Sequence, residues 1–100
     1  KKMKNRIFNL YANFVCEECG ITREELFSNT REIRFSIPRY ILYYICTKRP
    51  MKIVDIRNLM KSNGFDVTRQ NIDYGIDKIN KSTDKDVWDL IENCIEKFND

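Results

Sequence analysis

Residues 53–79, IVDIRNLMKSNGFDVTRQNIDYGIDKI, decide the fold. The apolar residues of their first half are Ile53, Ile56, Leu59 and Met60. A spacing of three or four residues is typical of a helix that buries one face. Asn63-Gly64 follows and supplies a residue that can take the left-handed conformation at the end of a helix. The pattern therefore predicts a helix that ends in a tight turn.

A second helix follows the turn. Thr68 is a good N-cap residue, with Asn71 at the third helical position, and Ile72, Ile76 and Ile79 recur at helical spacing. The first turn presents Arg69, Gln70 and Asn71, whose donors and acceptors match the edges of DNA bases. We therefore predict a helix-turn-helix over residues 52–81, with a polar recognition helix.

Composition limits the rest of the interpretation. The chain has 100 residues, of which 42% are apolar and 33% charged, which is typical of one globular domain with a single core. No apolar run approaches the roughly 20 residues of a membrane span, so we expect no membrane partner. The first residue is Lys rather than Met, which is consistent with a piece of a longer protein.

Charge is distributed unevenly along the chain. Residues 31–83 contain eleven Lys or Arg and five Asp or Glu, a balance of +6. Residues 84–100 contain two Lys or Arg and six Asp or Glu, a balance of −4. A basic middle is expected of a domain that faces a polyanion, although ordinary surface charge explains the balance equally well.

The sequence favours neither an enzyme nor a metal protein. Cys16 and Cys19 form a CxxC, but the chain has no second CxxC and no histidine, and the pair lies within a helical pattern. We interpret the four cysteines as small buried apolar residues. No pairing of a nucleophile with a base is present. We therefore expect no catalytic residue, metal, cofactor or small-molecule substrate.

The residue patterns of the remaining segments also predict helices. We predict a helix over residues 5–19 and a short helix that begins with a capping box at Thr22-Arg-Glu-Glu25. Residues 39–48 form a third helix, which is so apolar that we expect it at the centre of the fold. We predict a loop at residues 29–36 and a last helix, capped by Ser82 or Thr83, over residues 84–98. The fold class is all-α, with about six helices around one core. The aromatic residues on these helices, Tyr40, Tyr43, Tyr44 and Trp88, are expected in the core rather than on a base-stacking surface.

In this order of elements the chain resembles the C-terminal DNA-binding domain of DnaA, the bacterial replication initiator, a relative of the Trp-repressor-like helix-turn-helix group. The similarity covers residues 7–98 and rests first on CGITREELFSNTREIRFSIPRYILYYI. Pro38-Arg39 matches the Pro-Arg pair that opens the long helix of the family. Lys78-Ile79 matches the end of its recognition helix. The family signature Arg-Asp-His-(Ser/Thr)-Thr-Val corresponds here to residues 67–72, VTRQNI, so the base-reading side chains differ.

The resemblance implies a recognition helix in the major groove and a loop arginine in the minor groove. The base contacts would be Arg69, Gln70 and Asn71. The alternative for Arg69 and Gln70 is a solvated first turn, and the alternative for Asn71 is a role in the helix cap as the third helical residue. The minor-groove residues would be Arg31 and Arg34, for which a surface ion pair with Glu25 or Glu32 is the alternative. Residues expected to contact the DNA backbone are Arg39, Thr68, Lys52, Lys61, Lys78 and Lys81.

Our leading hypothesis is a sequence-specific module that binds double-stranded DNA in DnaA-like replication initiation or in transcription regulation, in a bacterium or phage. It would act in the cytoplasm, associated with the nucleoid. The alternative is a helical protein-interaction module that keeps the fold without binding DNA and engages its partner through the acidic C-terminal helix. The altered signature at residues 67–72 motivates this second hypothesis.

Overall fold

The computed structural model describes residues 2–30, 32–49 and 51–98 and contains six helices. They are α1 (Lys2–Cys19), α2 (Arg23–Leu26), α3 (Ile33–Cys46), α4 (Ile53–Ser62), α5 (Arg69–Asn80) and α6 (Lys85–Lys97). No strand occurs in the described ranges. The predicted all-α fold of about six helices is confirmed.

Helix α3 lies at the centre, as its apolar composition predicts. It packs against α1, α2, α5 and α6, and all residues from 41 to 46 are buried. Tyr43 and Tyr44 belong to this core, and Tyr40 and Trp88 pack against it, which confirms the core interpretation of the aromatic residues. None of the helices within the described ranges combines the length and the apolarity that crossing a bilayer requires.

Most helix ends follow the local signals in the sequence. Gly20 and Gly64 take positive φ values, +67° and +97°, where a side chain would be strained. The Thr22 hydroxyl accepts a hydrogen bond from the Glu25 backbone N–H, and the Glu25 carboxylate accepts one from the Thr22 N–H, which completes the predicted capping box. The prediction for α6 is wrong in one detail, because Asp84 caps this helix by accepting from the Asp86 N–H at 2.9 Å.

The prediction for the start of α3 is also wrong. The helix begins at Ile33, so Pro38 lies within it and the second half of the predicted loop at residues 29–36 is helical. The Glu32 carbonyl accepts hydrogen bonds from the backbone N–H groups of Phe35 and Ser36 and from the Ser36 hydroxyl. The side chain of Phe35 is buried. The hydrogen bonds to the Glu32 carbonyl and the burial of Phe35 stabilise the first turn of α3. Because this turn lies before Pro38, the proline does not disrupt it.

Helices α4 and α5 lie where the sequence predicts them. The connection between them, residues 63–68, is longer than the three or four residues usual for a helix-turn-helix. Its backbone is fixed by a hydrogen bond from the Phe65 N–H to the Met60 carbonyl at 3.0 Å. Val67 is buried in the core. The connection is therefore a defined structure despite its length.

Helix α5 packs mainly on α3, and Gly75 sets how close the two helices come. A Cβ atom at Gly75 would lie 2.5 Å from Cδ1 of Tyr40 and 3.1 Å from Cδ2 of Tyr43. The two tyrosine rings thus press directly on the backbone of α5. Ile72 and Ile79, one turn to either side on the same face of α5, are also buried.

Helix α4 is attached to the N-terminal half of the chain at both of its ends. At its start, the Asp55 carboxylate accepts from the Lys52 backbone N–H at 2.8 Å and from the Lys4 ammonium at 3.1 Å. Both hydrogen bonds lower the pKa of Asp55 below its usual value of 3.8, and the bond from the Lys52 backbone has the larger effect. At its end, the Arg23 guanidinium donates to the side-chain carbonyl of Asn63 at 2.9 Å.

Replacement of Gly75 by Ala should destabilise the fold. Overpacking of a tight contact typically costs about 1–3 kcal/mol, which outweighs the roughly 1 kcal/mol by which Ala favours a helix over Gly. We expect a lower free energy of unfolding for G75A in urea denaturation. In a Y40A background, where the ring is absent, the same change should cost much less. An equal cost in both backgrounds would contradict the role assigned to the Tyr40 contact.

Replacement of Asp55 by Asn should destabilise the fold in a pH-dependent way. Because the folded-state pKa is lowered, the stabilisation by the carboxylate is fully present above pH 3.8 and is lost as the pH falls through the folded-state pKa. The D55N variant should therefore be less stable than the wild type at pH 6, by roughly 1 kcal/mol. The difference should shrink below about pH 4. Urea denaturation at pH 3 and pH 6 tests this, and a constant difference would contradict it.

Candidate functional site

The first turn of α5 is exposed and capped as the sequence predicts. The Thr68 hydroxyl accepts from the Asn71 backbone N–H at 3.1 Å, and the side chains of Arg69, Gln70 and Asn71 are all exposed. Successive helical residues are about 100° apart, so Arg69 and Asn71 project on opposite sides of Gln70. The three predicted base-contact residues therefore surround the end of the helix rather than forming one row.

The outward line of α5 includes Tyr74 and Asp77, which were not among the predicted DNA contacts. Opposite the buried Ile72, Gly75 and Ile79, the most outward positions are Gln70, Tyr74, Asp77 and Lys81, which recur at intervals of four, three and four residues. Lys81 forms an ion pair with Asp77 at 3.0 Å, so these two charges largely cancel. Tyr74 is 53% exposed and lies one turn beyond Gln70. Helical periodicity alone could have identified this line.

Arg34 lies in the first turn of α3 and not in a loop. Its guanidinium is within 3.6 Å of the Glu32 carboxylate and 3.9 Å of the Glu25 carboxylate, and it lies over the ring of Phe35. The structure thus contains the surface ion pairs that were the alternative to a minor-groove contact. The side chain is 66% exposed, so it remains accessible to a ligand. Arg31, the other predicted minor-groove residue, lies outside the described residues.

The prediction of a DNA-backbone contact for Arg39 does not agree with the structure. Arg39 is only 4% exposed. Its guanidinium donates to four backbone carbonyls, those of Glu25, Leu26, Ser28 and Thr30, at 2.6–3.2 Å. It also lies 4.4 Å from the centre of the Phe65 ring, and burial lowers its pKa below the usual value. Arg39 therefore holds the segment between α2 and α3 in place, and its donors are used within the protein.

The other predicted backbone contacts are all exposed. Lys52, Lys61, Lys78 and Lys81 lie on the surface of α4, α5 and the adjoining turns. The outer face of α4 also presents Arg57, which sequence reasoning missed, midway between Lys52 and Lys61. Its spacing from the buried Ile56 and Met60 could have revealed it. Within the described residues, this outer face of α4 carries cations and no exposed carboxylate.

A polar cleft of about 450 Å³ separates the start of α5 from the segment that joins α2 and α3. Its lining includes Asn29, Thr30, Ser36, Tyr40, Asp66, Asn71 and Tyr74. The cleft therefore brings Asn71, a predicted base-contact residue, beside the segment for which a minor-groove contact was expected. The sequence contained no signal for this proximity, because it depends on how α3 and α5 pack.

The cysteines have the properties of core residues. Cys16, Cys46 and Cys94 are buried, and Cys19 is half-buried. Burial raises the pKa of the Cys16 thiol to about 11, and it raises the pKa of the other three. A thiol with a raised pKa is a weak nucleophile and a weak metal ligand near neutral pH. The described residues contain no group of three or more His, Cys, Asp or Glu arranged to hold a metal ion.

Replacement of Arg39 by Met should destabilise the fold strongly. The change removes hydrogen bonds of a charged donor, each worth about 1.5–3 kcal/mol, and leaves carbonyls that water satisfies only in part. Because R39M also removes the desolvation cost of a buried guanidinium, the loss is smaller than the sum of these bonds, and we expect the free energy of unfolding to fall by about 3 kcal/mol. The matched control R34M removes an exposed cation and should change it by less than about 1 kcal/mol. Chemical denaturation measures both, and equal effects would contradict the structural role of Arg39.

Comparisons with family models, with curated proteins and with solved structures found no match. The resemblance to the DnaA domain therefore remains a prediction from the sequence.

Proposed function

We propose that this protein binds double-stranded DNA in a sequence-specific manner, with α5 in the major groove, in DnaA-like replication initiation or in regulation. The observation that carries the proposal is the exposed first turn of α5. It is capped by Thr68, attached to the core through Ile72 and Gly75, and it presents Gln70 between Arg69 and Asn71. A recognition helix meets base edges with its N-terminal residues.

The chemistry of these three side chains suits bases. An arginine can donate two hydrogen bonds to guanine, and a glutamine or asparagine can pair with adenine through one donor and one acceptor. Because Arg69 and Asn71 lie on opposite sides of Gln70, Gln70 would be the central reader. Arg69 and Asn71 would reach base edges or phosphates to either side.

The cations of α4 support the same orientation. In a helix-turn-helix the first helix crosses the DNA backbone. Arg57 and Lys61 on the outer face of α4, and Lys52 at its N-cap, would then neutralise phosphates and position α5 without reading sequence. Arg34 would join them only after exchanging its ion pairs with Glu25 and Glu32 for a phosphate or a narrow minor groove.

The acidic residues of α5 limit how the helix can approach DNA. Asp73 is exposed, and Asp77 is paired with Lys81. A carboxylate near a phosphate is repelled, whereas one that faces a cytosine can accept a hydrogen bond from its amino group. We therefore place the first turn and the middle of α5 over the base pairs and its C-terminal end, with Lys78, near the DNA backbone.

Selection from random 20-base-pair duplexes, followed by fluorescence anisotropy on the enriched site, tests the proposal. Log affinity should fall linearly with log salt concentration, and K61A should weaken binding to all duplexes alike and lower the salt slope by about 1. Q70A should reduce the preference for the enriched site, by about 1–3 kcal/mol in binding free energy. K85A, on the acidic helix α6, is the matched control and should change neither quantity.

Absence of duplex binding at low salt would overturn the proposal. It would favour the alternative of a helical protein-interaction module. The exposed acidic residues of α6, Asp86, Asp89, Glu92 and Glu96, would then be the first surface to test for a protein partner.

A further inference from the structure

Tyr74 is the large exposed side chain in the middle of α5. It lies on the outward line of the helix and is 53% exposed. Its ring packs against that of Tyr40, with the ring centres 5.9 Å apart and the planes at 80°. About half of the residue's surface remains exposed to solvent.

The ring is held in position by the contact between α3 and α5. Tyr40 is itself pressed against the α5 backbone at Gly75, where no side chain intervenes. The Lys78 ammonium also lies 5.8 Å from the centre of the Tyr74 ring. A ring supported in this way loses little conformational freedom when a ligand contacts it, so a contact there costs little entropy.

The place of Tyr74 on α5 indicates what such a ligand would be. Four residues of helix span about 6 Å, and DNA base pairs are about 3.4 Å apart, so Tyr74 would lie one or two base pairs from the pair that Gln70 reads. Asp73, the exposed residue before Tyr74, disfavours a phosphate at this point, while the charge of Asp77 is largely cancelled by its ion pair with Lys81. In the major groove, the apolar group that a base presents is the C5-methyl group of thymine.

We propose that Tyr74 is a specificity-determining residue that packs its ring against the methyl group of a thymine, one or two base pairs from the pair contacted by Gln70. The inference rests on the proposed function, because it requires α5 to lie in the major groove. It adds a base type and a position to that function. It also gives Tyr40 and Gly75 an indirect part in recognition, since both position the ring.

The test replaces thymine by uracil, which has the same hydrogen-bonding groups and lacks the methyl group. In the enriched duplex, each thymine is replaced in turn by deoxyuridine, and affinity is measured by anisotropy. At one position the wild-type protein should bind about fourfold more weakly, the factor that corresponds to the burial of one methyl group. At thymines outside the contacted site, the replacement should change nothing.

Variants of Tyr74 assign the effect to this side chain. Y74F keeps the ring and should retain the preference for thymine at that position, whereas Y74A should bind the thymine and uracil duplexes equally. Circular dichroism verifies that Y74A folds, and Y74Q, which keeps a long side chain without a ring, serves in its place if Y74A does not fold.

Two outcomes separate this inference from the function on which it rests. If no duplex is bound, the proposed function fails. If a site is bound but no thymine shows a methyl effect, or the effect persists in both Y74A and Y74Q, the role of Tyr74 is refuted and the proposed function stands.

Discussion

The close contact between α3 and α5 at Gly75 is the constraint on which the arrangement of this protein depends. With no side chain at that point, the rings of Tyr40 and Tyr43 lie directly against the α5 backbone. Helix α3 is the central helix, so this contact fixes α5 to the core. Every exposed residue of α5 takes its direction from that contact. A ligand that reads the surface of α5 therefore also depends on how well these two helices pack.

A second constraint is the use of arginines inside the structure. Arg39 holds the carbonyls that follow α2, and Arg49 donates to the hydroxyl of Tyr11 and the carbonyl of Phe98. Both residues belong to the basic middle of the sequence. The exposed positive charge of that segment is therefore smaller than the sequence balance, and much of what remains lies on α4 and α5. When guanidinium groups donate hydrogen bonds inside the protein, the net charge counted from the sequence overestimates the positive charge that a polyanion can contact.

The sequence predicted what depends on local signals and missed what depends on packing. Helix positions, the Thr22 capping box and the Thr68 cap follow from residue type and spacing, and they were found. The start of α3 was not predicted correctly, because proline is typical of the first turn of a helix and Pro38 therefore suggested a later start. No local sequence pattern indicates that Phe35 is buried and that the helix extends to it. Arg39 was assigned to the DNA backbone because it was expected in the first turn of its helix, whereas α3 begins at Ile33 and Arg39 shares a helical face with the buried Phe35 and Leu42. The cleft beside Asn71 and the support of Tyr74 by Tyr40 join residues more than thirty positions apart, which periodicity does not reveal.

The attachment of α4 at both ends has a consequence for how this protein can be divided. Lys4 holds the first turn of α4, and Arg23 holds the residue after its last turn. Both anchors come from the first quarter of the chain, while α5 depends on Tyr40 and Tyr43. A peptide of residues 52–81 contains the whole helix pair and none of these supports. The helix pair therefore depends on contacts that lie outside it. If it were grafted onto another protein, that protein would have to supply an ammonium, a guanidinium and two aromatic rings for the pair to keep its geometry.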